Sequence, residues 1–172
     1  MSDTRIRNLV LSAFFAALCT VMTLVIQIPS PMQGYVNLGD CAVLLSAWVL
    51  GPLYGGAAAG IGSMLADLIS GYAFYAPATF AIKLTMAVVA ALIFRAMQKG
   101  SHTQSMLLQA VSGIAAETIM VAGYFGYACL WLGEGMAATA SIPGNVVQGV
   151  FGLIAAAAVY AILNRSHVLA RI

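Results

Sequence analysis

Apolar residues along this chain fall in six long runs, each bounded by proline, glycine or charge. The first run covers about 6–27 and is ended by Pro29 and Pro31. The second, about 40–50, ends at Gly51-Pro52, and the third covers about 53–70. The fourth spans about 78–97, the fifth about 106–132 and the sixth about 143–164. Runs of this kind predict helices that cross a bilayer, since hydrocarbon leaves no partner for a backbone group outside its own segment. About 20 apolar residues span the roughly 30 Å core. The second run is short: at 1.5 Å per residue its helix rises about 17 Å. Either the segment before it dips into the protein or its helix starts earlier. The pattern predicts an all-α, polytopic membrane protein of six transmembrane helices, with 1–172 as one domain.

Charge orients these helices. Arg5 and Arg7 precede the first, Arg95 and Lys99 flank the connection between the fourth and fifth, and Arg165 and Arg171 follow the sixth. With six crossings all of these fall on one side, and the opposite connections carry no Lys or Arg. The positive-inside rule makes that side cytoplasmic, with both termini on it. Arg5 and Arg7 before an apolar run also suit a signal peptide. The run exceeds the 7–15 residues of a signal core and no small-x-small site follows, so a retained helix is expected. Lys83 lies inside the fourth helix and needs a separate explanation.

Composition narrows the function classes. The 172 residues are 62% hydrophobic and 7% charged, against roughly 25% charged in a soluble domain. No glycine-rich loop followed by Lys-Ser or Lys-Thr is present, so any energised work draws on a gradient or a partner. Cys19, Cys41 and Cys129 are scattered without metal-ligand spacing and read as apolar fillers, with no metal site. His102 and His167 fall in loop and tail. No span carries a histidine, and no serine is paired with a base, so an intramembrane enzyme lacks its constellation.

Ionisable groups inside the bilayer cost about 2.5–3.5 kcal/mol on insertion scales and normally face a partner or a cavity. Three stand out: Asp67, Lys83 and Glu117. Asp67 and Lys83 should share a depth, being close to either end of the short connection 71–77, and are expected to pair. Tyr124 repeats the face of Glu117 seven residues on, and Asn145 and Gln148 share a face of the sixth helix. These groups suit either a cavity for a small polar solute or interhelical hydrogen bonding worth about 0.6 kcal/mol per contact. The outer connections add Gln33, Tyr35 and Asn37, then Tyr72, Tyr75 and Pro77. Tyrosines at this level serve either as an interfacial belt or as stacking surfaces for a flat solute. Small residues four apart, Ala13 with Ala17, Ala16 with Thr20 and Gly56 with Gly60, permit close helix approach. The third helix is expected to use its small face internally, and the first to offer one to another subunit.

The run Gly34-Tyr35-Val36-Asn37-Leu38-Gly39-Asp40, the break Leu50-Gly51-Pro52, then Ala66-Asp67-Leu68-Ile69-Ser70-Gly71-Tyr72 follow one another in order. Tyr75-Ala76-Pro77-Ala78-Thr79-Phe80, Ile82-Lys83, Gly123-Tyr124-Phe125 and Ile142-Pro143-Gly144-Asn145-Val146-Val147-Gln148 complete the series. The chain thereby resembles the S component, the substrate-binding membrane subunit, of energy-coupling factor (ECF) vitamin transporters. The resemblance implies a six-helix fold with an outward-opening vitamin site, where Asn37, Tyr72, Tyr75, Lys83, Glu117, Tyr124, Asn145 and Gln148 are the candidates. It implies a transmembrane scaffold subunit and two cytoplasmic ATPase subunits as partners, the latter using ATP and Mg, with no cofactor in this chain. Ala13 and Ala17 match a face that docks on the scaffold. The setting the resemblance implies is the plasma membrane of a prokaryote, with no nucleic-acid partner. The chain is most similar to members for hydroxymethylpyrimidine or pyridoxine. Relatives for riboflavin or queuosine precursors, and an autonomous proton-coupled carrier using Glu117 or Asp67, are the alternatives.

Overall fold

The computed structural model describes residues 3–30, 34–100, 106–166 and 169. Pro31, Gln33, His102, His167, Arg171 and the side chain of Lys99 lie outside the described residues. Among the described residues six α-helices form, in chain order α1 (Asp3–Val25), α2 (Gly39–Leu50), α3 (Pro52–Ile69), α4 (Ala76–Gly100), α5 (Met106–Gly126) and α6 (Ile142–Arg165). Their bounds follow the apolar runs to within a few residues. A π-helical turn, Tyr127–Trp131, prolongs α5, and a 3₁₀ stretch, Gly135–Ser141, leads into α6. Among the described residues, four helical stretches are long and apolar enough to cross a membrane: Thr4–Val25, Ala76–Gln98, Met106–Trp131 and Gly135–Arg165.

The short second helix is real, and its surroundings explain it. Ten of its residues, Gly39 through Trp48, are buried, so α2 meets protein on every side and has no lipid thickness to match. It packs against α1, α3, α4 and α6. The connection before it forms a two-stranded antiparallel ribbon, β1 (Ile28–Ser30) with β2 (Gly34–Val36), pairing Ile28 with Val36, and only its second strand is half-buried, Ile28 being exposed. At its other end Gly51 takes φ 82°, a left-handed conformation that costs glycine little, and Pro52 starts α3 where a missing N–H is harmless. Arg95 of α4 reaches back to donate to the terminal carbonyl of Leu50 at 3.3 Å, a cation where the helix dipole favours one.

Small residues set the tight crossings. A Cβ on Gly62 would lie 2.3 Å from the Ala16 carbonyl oxygen, and Thr20 Oγ1 donates to the Gly62 carbonyl at 2.8 Å. The Ala16/Thr20 face of α1 is therefore spent on α3. Ala13 and Ala17, on the adjacent face, are exposed. Gly56 and Gly60 admit Val88 and Phe80 of α4, the internal use expected of that helix.

Candidate functional site

Asn37, at the end of the ribbon, starts the site. Its side-chain oxygen accepts from the Gly39 N–H at 2.8 Å, an Asx turn that directs the chain into α2. That turn places Asp40 in the first helical turn, fully buried, where the dipole favours an anion. A lone buried carboxylate is costly, so its oxygens need partners. Lys83 of α4, also buried, donates to Oδ1 as a salt bridge. Gln148 of α6 donates through Nε2 to Oδ2 at 2.6 Å. The Gln148 carbonyl in turn accepts from the Asn37 N–H at 2.9 Å. One connected network thus ties the ribbon, α2, α4 and α6 together, with the Asp40 carboxylate at its centre.

Lys83 therefore does not pair with Asp67 as the sequence suggested. Both residues lie near one end of the bundle, but Asp67 accepts instead from the Tyr35 hydroxyl at 2.6 Å. The cation turns toward α2, because Asp40 is the fully enclosed carboxylate and the one with more to gain from it. The sequence offers Asp40 only as part of the motif that opens the second helix.

Aromatic rings cover this network. Lys83 Nζ sits 5.5 Å from the ring centroid of Tyr124, a cation–π distance. The Tyr124 hydroxyl donates to Thr79 Oγ1 at 3.1 Å. Tyr75 lies 6.2 Å from Tyr124 and 5.5 Å from Tyr127, centroid to centroid. Tyr35 and Tyr72 pack at 4.9 Å. Tyr127 donates to the Phe74 carbonyl at 2.5 Å, fixing the connection 71–75 to the end of α5. Burial pushes the Tyr75 hydroxyl up to about 12. Burial raises Tyr35 too, as does its hydrogen bond to Asp67. Both phenols stay protonated donors at neutral pH.

Glu117 of α5 is buried, and neither carboxyl oxygen has a hydrogen-bond partner among the described residues. It is near enough to Asp40 and Lys83 to feel their charges. Two glycines of α6 make the room: a Cβ on Gly149 would lie 2.9 Å from Glu117 Oε2, and one on Gly152 would lie 2.7 Å from the Asp40 Cβ. Beyond Glu117 lies an apolar cleft of about 430 Å³ between α5 and α6, lined by Ile114, Val121, Phe125, Val146 and Val150 among others. The structure thus joins Asn37, Lys83, Tyr124 and Gln148, with Tyr72 and Tyr75 in the adjoining aromatic layer and Glu117 beside them. Asn145 is half-buried in the first turn of α6 and makes no side-chain hydrogen bond among the described residues. It does not join the network.

The family model described as "ECF-type riboflavin transporter, S component" matches residues 3–165. The chain belongs to this S-component family. A protein of Pyrococcus woesei, described as an uncharacterized protein in a gap 3′ region, is 38% identical over 136 residues, 78% of this chain and 86% of its own length. A solved structure of the S component of a bacterial ECF transporter superimposes with a TM-score of 0.70 at 19% identity, covering 94% of this chain and 97% of that one. That likeness concerns the fold. Membership makes this S component a multi-pass membrane protein and the substrate-binding subunit of an ECF transporter, not itself an enzyme. It leaves the solute open.

Proposed function

We propose that this S component captures a small heteroaromatic vitamin or precursor, of the hydroxymethylpyrimidine or pyridoxine kind, from outside the cell. It delivers the solute inward with a transmembrane scaffold subunit and two cytoplasmic ATPase subunits, which use the ATP and Mg. The observation that carries this reading is the juxtaposition of the Asp40–Lys83–Gln148 network with the Tyr75, Tyr124 and Tyr127 rings. Rings offer a flat solute stacking surface. Fixed donors and acceptors beside them replace the water shell of its heteroatoms. Glu117, with both oxygens unpartnered among the described residues, supplies an acceptor for a ring N–H or an exocyclic amine. The basic residues Arg5, Arg7, Arg95 and Arg165 support cytoplasmic termini, and with them an outward tyrosine-capped end, in the plasma membrane of a prokaryote.

The family description favours a second reading, riboflavin as the solute. One experiment separates the two. Mass spectrometry identifies the small molecule that co-purifies with the detergent-solubilised protein, and calorimetry then ranks pyridoxine, hydroxymethylpyrimidine, riboflavin and a deazapurine precursor. A single-ring compound binding tightest is the expected result; preference for riboflavin selects the second reading. Uptake that persists after deletion of the ATPase subunits would overturn both in favour of a gradient-driven carrier.

A further inference from the structure

The end of the bundle opposite the ribbon carries polar groups that the capture site does not use. The last turn of α2, the ends of α4 and α6 and the first turn of α5 meet there. Trp48, Phe94 and Tyr160 form a three-ring box, with centroids 5.9 Å apart for Trp48–Phe94 and 5.7 Å for each ring to Tyr160. Two cavities, of about 200 and 140 Å³, adjoin the box and share Phe94, Gln98 and Tyr160 as walls. The larger is also lined by Gln109, which is only 7% exposed and whose Oε1 has no hydrogen-bond partner among the described residues. A buried carboxamide left unpaired costs about 1–3 kcal/mol. The Tyr160 hydroxyl, on the same wall, likewise makes no hydrogen bond among the described residues. By contrast Trp48, which lines the smaller cavity, is satisfied, its Nε1 donating to Ser112 Oγ at 3.0 Å.

We propose that this end is a second solute site, taking one planar heteroaromatic ring with a donor–acceptor edge. A carboxamide presents a donor and an acceptor side by side, which matches an amidine-like or amide-like ring edge, and the Phe94 and Tyr160 rings offer aromatic surface beside it. The size favours a small solute: about 200 Å³ falls below the roughly 300–1,000 Å³ of sites for drug-sized ligands, which suits one ring better than a fused tricycle. The inference rests on the proposed function for the class of solute and for the inward orientation of this end. A site there, filled from the cytoplasm, would report the internal supply of the transported compound.

The test uses the full chain in detergent with the Trp131→Phe change, which leaves Trp48 as the sole tryptophan. Trp131 is 80% exposed on the turn after α5, far from the box in chain order. Trp48 emission is titrated with pyridoxine, hydroxymethylpyrimidine and riboflavin. A saturable response to a single-ring compound and none to riboflavin is expected. Gln109→Leu should weaken that response roughly 5- to 150-fold. Tyr160→Phe, which keeps the ring and its packing, should weaken it by a smaller factor and guards against misfolding of the first variant. Gln148→Ala, at the outer network, should leave it unchanged while altering calorimetric binding. No saturable response, or a response that Gln109→Leu and Tyr160→Phe both leave intact, overturns the second site. A response abolished by Gln148→Ala also overturns it, because Trp48 is then sensing the outer site. Calorimetry of the Gln109→Leu variant reads the outer site with the second site weakened, so failure of one reading is distinguishable from failure of the other.

Discussion

Removing the Lys83 cation is the sharpest test of how the network holds together. Lys83→Met preserves length and apolar volume and strands Asp40. The two side chains are 3% and 0% exposed, so solvent screens the loss very little. Breaking a buried pair by deleting one partner costs about 3–5 kcal/mol, which at 1.4 kcal/mol per tenfold is roughly two to more than three powers of ten in the folding equilibrium. Gln148 still donates to Oδ2, which places the expected loss toward the lower end. The structure also names the rescuer. Asp40→Asn on top of Lys83→Met removes the stranded charge and keeps an oxygen for Gln148, so it should recover much of the loss. Asp67→Asn in the same background should recover none, since Asp67 is engaged with Tyr35. The assay is the yield of monodisperse protein on gel filtration, with the melting midpoint in detergent for each variant. Rescue by Asp67→Asn equal to that by Asp40→Asn, or a parental midpoint for Lys83→Met, would refute this assignment.

Other expectations follow from the same geometry. Gly152→Ala brings a methyl within 2.7 Å of the Asp40 Cβ, so it should cost about 1–3 kcal/mol through overpacking, while Gly126→Ala, with nothing within 4 Å, should melt near the parent. Ala16→Leu should abolish folding because α3 passes at Gly62, whereas Ala13→Leu and Ala17→Leu, on an exposed face, should retain solute binding and lose transport in the reconstituted complex. Normal transport by both would remove α1 from the docking surface. Met136→Cys, at a residue 73% exposed in the stretch before α6, should react with an impermeant thiol reagent in whole cells while tags at either terminus stay protected; the reverse pattern would invert the topology.

Most of the helix bounds were legible because membrane spans announce themselves by composition and need no fine periodicity. Depth was legible too, and it brought Lys83, Tyr124 and Gln148 to one level. Direction around each helix axis was not. Spacing alone treats Ala13/Ala17 and Ala16/Thr20 as equals, and only the position of Gly62 on α3 decides which pair turns inward. The same ignorance of facing gave Lys83 the wrong carboxylate and grouped Asn145 with Gln148, although three residues of helix separate a half-buried turn from a fully buried one. Asp40 could have been found. A helix too short to span the bilayer must begin inside the protein, and an acid in its first turn then needs a cation. The ribbon before α2 left no such trace, since strands of three residues are too short to show alternation.

The enclosure of α2 bears on how the chain is made. Asp40 finds its partners 43 and 108 residues downstream, at Lys83 and Gln148. Synthesis proceeds at about 5–20 residues per second, so roughly 5–20 s separate the emergence of Asp40 from that of Gln148. Through that interval a twelve-residue helix, unable to bridge the hydrocarbon, carries an acid whose shell is incomplete. It has to wait at the interface while later helices enter. Second in the order of translation, α2 is then among the last pieces to be seated, and a lesion in α6 would first be felt as failure to bring α2 in from the membrane surface.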